Sequence, residues 1–300
     1  MVLAPPAKLN LWLDVLFRRD DGFHELETVM HAIDLTDRLS VRRVSGREVT
    51  LNIGGRECPG GDDNLVVRAA EAYFSGVSSV QDRFGIEADL QKNIPLGAGL
   101  GGGSADAAGM LVALDQLASH PVGPDSLAAM GASLGSDVPF FVRCGDGGTA
   151  VATGRGEKIR PLEASDSPRW TFVLLYPGVK AETASVYGRL NRGLTRPKKD
   201  LKTFLKMVAD GGSVGVPEFH NSLAEPFRDM FPDLAALHDL AAERAGRPLT
   251  VTGSGSAMFT VVADRDEGEL LADELRTLPF EVATVCESLP ARPEQRGGHQ

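Results

Sequence analysis

The stretch PLGAGLGGGSADAA at residues 95–108 restricts this chain more than any other feature. Five of the seven residues from Gly97 to Gly103 are glycine, and Ala107, Leu111, Leu114 and Ala118 follow at helical spacing. The pattern predicts a loop over 95–104 and a helix from about 105 to 118. Glycine lets backbone N–H groups approach an anion without interference from Cβ, and a helix N-terminus adds a favourable dipole. A glycine run alone is often only a flexible loop, but the helix directly behind it favours a phosphate cradle.

Other phosphate motifs fit less well. A P-loop needs lysine directly after its last glycine, and Gly103 is followed by Ser104. Gly97, Gly99 and Gly102 satisfy GxGxxG, but a dinucleotide fold places that motif after a fully buried parallel strand. Here the preceding strand-like stretch, 84–90, alternates apolar and polar residues and ends several positions earlier. Protein-kinase HRD and DFG sequences are absent, and Ser104 lacks the second glycine of GxSxG.

Charge and composition bound the partners. The formal net charge is −10 over 300 residues, so the chain offers no basic footprint for nucleic acid, and an anionic substrate must be held by a local device. No apolar run approaches the roughly 20 residues that span a bilayer, and Pro5 and Pro6 interrupt any leader-like segment. Cys58, Cys144 and Cys286 are far apart and form no metal-binding or disulfide pattern, which fits a reducing cytoplasm.

Along the chain, residues 7–15 alternate. Ala7, Leu9, Leu11, Leu13 and Val15 take one face, with Lys8, Asn10, Trp12 and Asp14 on the other, as in a half-buried strand. Asp20-Asp21-Gly22 predicts a turn, 38–44 and 49–53 strands, and 64–75 a helix. Asp125 or Ser126 can cap a helix that stops near Gly135, and 140–160 has the pattern of a hairpin. The polar stretch 163–169 suggests a boundary between units 1–162 and 163–290, with 291–300 expected as a disordered tail. The second unit shows strands at 172–175, 249–252, 257–263 and 280–288. Helices are expected around 181–191, 201–209, 233–245 and 266–277, with a basic loop at 192–200. Strands and helices mix without regular alternation, so the expected class is α+β.

Four further signals stand beside the glycine loop: Lys8 with Asn10 on one strand face, Asp137 in GSDVPFF, the turn Asp21-Gly22-Phe23-His24, and GSGS at 253–256. Each has an ordinary alternative: an edge lysine, a helix cap, a common DG turn with a structural histidine, and a tight turn.

Together the signals resemble the GHMP kinases. PAKLNLWL (6–13), DGFH (21–24), DNLVVRAA (63–70), the glycine loop, GSDVPFF (135–141) and VTGSGSAMF (251–259) occur in that family's order over nearly the whole chain. PAKLNL and DGFH resemble the branch that phosphorylates 4-diphosphocytidyl-2-C-methylerythritol in the non-mevalonate isoprenoid pathway. The chain departs from the pattern at Ala98, where members often carry glycine. It departs again at Asn221-Ser222-Leu223-Ala224, where an Asn-Asp-Leu-Glu segment is common.

The resemblance implies a first part like ribosomal protein S5 domain 2 and a ferredoxin-like second part, with ATP, Mg²⁺ and a small cytidyl diphosphate-linked methylerythritol substrate between them. No nucleic-acid, membrane or obligate protein partner is implied. Lys8 and Asp137 would be catalytic. ATP would lie along Pro95, Leu96, Gly97, Ala98, Gly99, Leu100, Gly101, Gly102, Gly103, Ser104 and Ala105, with Asn64 and Leu65 beside the adenine. Asn10, Phe23, His24 and Tyr187 would contact the substrate; no magnesium ligand is assigned.

Overall fold

Three sheets organise the computed structural model, which describes residues 1–76, 83–118, 121–163, 169–190, 200–209 and 219–290. In the first, β1 (Val2–Leu3), β4 (Arg38–Val44), β6 (Gly85–Lys92) and β5 (Val49–Gly55) lie side by side in that order. Helices α1 (Leu65–Gly76), α2 (Gly102–Leu117), α3 (Gly123–Leu134) and α4 (Val138–Cys144) share its core. There Leu39, Val41, Ile86 and Leu90 meet Tyr73, Leu111, Leu114 and Phe140.

The second sheet runs β10 (His220–Asn221), β2 (Pro6–Arg18), β3 (His24–Thr36), β7 (Thr149–Gly154) and β8 (Lys158–Pro161). The third runs β11 (Thr250–Val251), β12 (Met258–Val262), β9 (Thr171–Tyr176) and β13 (Val282–Glu287). These two sheets share a core in which Ala7, Leu9 and Leu11 join Phe172, Leu174 and Phe259. Each of these phenylalanines contributes roughly 1.5–3 kcal/mol by leaving water. The other residues of β9, Val173 and Leu175, cluster with Ala241 of α8 (Pro232–Ala245) and Leu271 of α9 (Arg265–Leu275). Burial on both faces accounts for the unbroken apolar run FVLLY. Short helices α5 (Thr183–Gly188), α6 (Leu201–Ala209) and α7 (Ala224–Met230) complete the second half.

The architecture is α+β, as expected, and no helix among the described residues is long and apolar enough to cross a membrane. Several local expectations change. β2 is buried on both faces through Leu13, not half-buried. A bulge at Leu11 breaks its alternation: Asn10 pairs with Met30 and Trp12 with Val29, so Trp12 turns into the shared core instead of lying beside Lys8 and Asn10. β3, with Glu25 and Glu27 in its ladder, is a strand the pattern does not announce. No side chain caps α3; Asp115 instead accepts from the N–H groups of Val122 (2.7 Å) and Gly123 (3.2 Å). The hairpin expected over 140–160 is present as the antiparallel pair β7 and β8, but its first residues, up to Cys144, belong to helix α4. The basic loop at 192–199, most of the 163–169 boundary and the tail from 291 lie outside the described residues.

Candidate active site

A cavity of about 820 Å³ is bounded by the glycine loop, β2, the DGFH turn, the segment around Asp137, helix α5 and the GSGS turn. Its floor is built where β6 ends. Asp37 accepts from the N–H groups of Asn93 (2.6 Å) and Ile94 (2.9 Å), and its second oxygen pairs with Lys92. Lys92 Nζ also lies 2.6 Å from Asp106 on α2. Burial works against the lysine's charge, but the Asp106 and Asp37 carboxylates outweigh it and raise its pKa. Burial pushes the Asp106 carboxyl up to about 7, Lys92 pulling the other way, and its Oδ1 has no hydrogen-bond partner.

The loop above this floor is gripped from both sides. Lys8 N–H donates to Leu100 O at 3.0 Å, and Ala257 N–H to Ala98 O at 3.1 Å. Gly99 and Gly101 are glycines for reasons of packing. A Cβ on Gly99 would lie 2.1 Å from the Thr252 carbonyl oxygen, so the glycine loop and the GSGS turn touch backbone to backbone. A Cβ on Gly101 would meet the Phe141 ring at 2.9 Å and Lys8 Cγ at 3.2 Å. Packing against Phe141 and Lys8 by itself therefore requires glycine at 101. The helix also starts earlier than expected, at Gly102, with Gly101 in the left-handed region as its N-cap. Gly102, Gly103 and Ser104 line the cavity, and first-turn amides have no carbonyl partner within the helix. The dipole of a 16-residue helix lies behind them, an arrangement that favours an anion.

Across the cavity, Lys8 is 3 % exposed. Its ammonium donates to Asn10 Oδ1 at 2.5 Å and lies 3.6 Å from Asp137 Oδ2. Asp137 precedes α4, yet its side chain makes no capping hydrogen bond and remains 30 % exposed. The carboxylate therefore faces the cavity beside a cation, which is not the arrangement of a helix cap.

At the far end His24 and Tyr187 rings meet with centroids 5.3 Å apart. Burial, helped by the charge of Arg18, lowers the His24 pKa and keeps the imidazole neutral. Burial, helped by Asp137, raises that of Tyr187. Phe23 is half exposed, with the Arg155 guanidinium 4.7 Å from its centroid on one side. The His24–Tyr187 contact leaves no gap for a base between those rings.

Of the predicted residues, the cavity brings together Lys8, Asn10, Phe23, His24, Leu65, Asp137, Tyr187 and all of 95–104. Asn64 and Ala105 are not among its lining residues. The Asn64 amide is taken up by Pro59 O (2.7 Å) and Val66 N–H (2.8 Å), which starts α1. Ala105 is buried, its N–H bonded to Gly101 O.

Sequence alone missed Thr28, Arg155, Thr183 and Lys92. Thr183 Oγ1 is 3.0 Å from Ser254 Oγ in the GSGS turn. The Asn221 segment acquires a role: its amide donates to Val251 O (2.6 Å) and Gly253 O (2.8 Å), holding that turn. Ser222 donates to Asp14 at 2.6 Å. A sequence signal for Asn221 existed in NSLA; that for Arg155 did not, since a lone arginine in a turn has no pattern.

Residues 64–145 match the GHMP kinases N terminal domain and residues 193–279 the GHMP kinases C terminal domain. A 4-diphosphocytidyl-2-C-methyl-D-erythritol kinase of Pelotomaculum thermopropionicum is 38% identical over 271 residues, covering 90% of this chain and 92% of that protein. One from Brevibacillus brevis is 36% identical over 281 residues, covering 93% and 94%. A crystal structure of 4-(cytidine 5'-diphospho)-2C-methyl-D-erythritol kinase superposes with TM-score 0.79 at 36% identity, covering 96% of this chain and 98% of that one. A mevalonate kinase structure shares the fold, with TM-score 0.65 at 15% identity over 96% and 99% of the two chains.

Proposed function

The chain belongs to the 4-diphosphocytidyl-2-C-methyl-D-erythritol kinases of the GHMP kinase superfamily, ATP-dependent phosphotransferases, and from that premise we propose how its own residues act. The reaction is transfer of the γ-phosphoryl group of ATP to the 2-hydroxyl of 4-diphosphocytidyl-2-C-methyl-D-erythritol, in the cytoplasm, as a step of the non-mevalonate isoprenoid pathway. One observation carries the reading: Lys8 and Asp137 form a pair, 3.6 Å apart, in the same cavity as the first turn of α2.

The amides of Gly102, Gly103 and Ser104 bind the nucleotide phosphates, and the neighbouring loop and Leu65 shape the rest of the ATP site. Asp137 accepts the proton of the acceptor hydroxyl as that oxygen bonds to the γ-phosphorus in line with the leaving group. The bond to the β–γ bridging oxygen breaks and ADP departs. Lys8, held by Asn10, donates to the phosphoryl oxygens as charge develops there. Phe23 and Tyr187 supply flat surfaces for cytosine, and neutral His24 a hydrogen-bonding edge. The parts before and after the 162/163 boundary act as the two walls.

Magnesium fits this donor set modestly. No cluster of three acidic, histidine or cysteine side chains gathers among the described residues, but Mg²⁺ characteristically takes one or two carboxylates and completes its shell with phosphate and water. Asp137 and the Ser104 hydroxyl are the protein donors in the cavity that would hold it, and it would neutralise phosphate charge.

A coupled ADP-release assay tests the proposal. The cytidyl substrate is expected to support turnover and mevalonate not to; turnover with mevalonate and none with the cytidyl compound would overturn it.

A further inference from the structure

The hydrogen bonds behind Lys8 run in one sense only. An ammonium donates and cannot accept, so the Asn10 atom it meets at 2.5 Å is the carbonyl oxygen. The Asn10 nitrogen then points the other way and donates to Thr28 Oγ1 at 2.8 Å. The Thr28 hydroxyl donates in turn to the carbonyl oxygen of Trp12 at 2.6 Å, just past the bulge in β2. A carbonyl oxygen only accepts, so the chain ends there and every group in it has a single allowed orientation. Thr28 is 1 % and Asn10 2 % exposed, which leaves no solvent to replace a missing partner.

We infer that Thr28 is a positioning residue for phosphoryl transfer, setting the orientation of the Asn10 amide and through it the place of the Lys8 ammonium. This rests on the reading of Lys8 proposed above. Without the Thr28 hydroxyl, the Asn10 nitrogen loses its acceptor and the amide loses the constraint on its rotation. Turned by half a revolution, it would present N–H groups to a buried cation. Lys8 would leave its place opposite the phosphate site, and small displacements of positioned groups can cost up to about a hundredfold in rate. The Thr28 side chain itself bonds to Asn10 and Trp12 and not to the glycine loop or the aromatic end.

The test compares Thr28→Val, which keeps shape and loses the hydroxyl, with Thr28→Ser, which keeps the hydroxyl. Thr28→Val is expected to lower kcat by about 10–100-fold with both KM values within about twofold, and Thr28→Ser to stay within about threefold of the parent. A double-mutant cycle separates positioning from general stability. If Thr28 acts through Asn10, adding Thr28→Val to Asn10→Ala lowers kcat by less than about twofold more. Normal kcat in folded Thr28→Val, a loss confined to KM, or additive losses in the cycle would overturn the inference. Should Thr28→Val not fold, Thr28→Cys, a weak donor and acceptor, must show the same selective loss of kcat. Lys8→Met is measured alongside. If Lys8→Met is inactive and Thr28→Val normal, only the Thr28 relay falls; if Lys8→Met turns over normally, both readings fall.

Discussion

Two buried lysines line the same cavity in opposite settings. Lys92 lies between two buried carboxylates, Asp37 and Asp106, on the floor beneath the helix start. Lys8, equally buried, has one neutral amide oxygen at 2.5 Å and one carboxylate at 3.6 Å. An ion fully compensated by fixed partners cannot answer a new charge without breaking its bonds, and removing one member leaves the others buried and uncompensated. An ion held loosely on one side can turn toward charge that develops during a reaction. On the proposed mechanism, Lys92 therefore holds the floor beneath the helix start and Lys8 serves the chemistry.

Replacing each lysine breaks the comparison most directly. Lys8→Met is expected to lower kcat by about 10²–10⁴, and Asp137→Asn likewise, with ATP affinity nearly unchanged in the latter by calorimetry. Near-parental turnover in either variant would remove the assignment. Lys92→Met is expected to lose about 3–5 kcal/mol of stability in urea denaturation, because Asp37 and Asp106 stay buried without a cation. Its kcat per folded molecule should fall less than tenfold. The reverse pattern, a stable but inactive protein, would exchange the roles of the two lysines.

The acceptor end sharpens the contrast, since it recognises by contact and not by charge. His24→Ala should raise KM for the cytidyl substrate about 10–100-fold, in line with roughly 1–3 kcal/mol for contacts to a base, while KM for ATP stays constant. Equal activity on an acceptor lacking cytidine would contradict this.

His31 shows the third treatment of a buried titratable group, neutrality. It is bonded to Thr149 and Ser288 (2.8 Å each), and complete burial lowers its pKa to about 3. Between that value and the ordinary 6.5 the unfolded chain binds the extra proton, so this contribution is present in full above 6.5 and declines on acidification. At pH 5.5 the loss is about 1 kcal/mol relative to pH 7. His31→Gln should show a smaller stability difference between those pH values than the parent; an equal difference would mean that His31 does not carry it.

Much of the proposed phosphate site is legible in the sequence because glycine content, helix spacing and the absence of a P-loop lysine are local features. The sequence by itself determined the α+β class, the glycine loop before α2, and the presence of Lys8, Asn10 and Asp137 in suggestive settings. Sequence does not separate a cap from a ligand at Asn64, because both use the same amide; the packed structure shows that amide starting α1. Tertiary structure alone decided that the glycine loop packs on the Thr252 backbone, that Lys92 is locked while Lys8 is not, and that Thr28 reaches Lys8 through Asn10. These relations join positions far apart in the sequence, as Gly99 and Thr252 are. Their physical cause is the burial that removes water as an alternative partner, and burial is a property of the packed molecule.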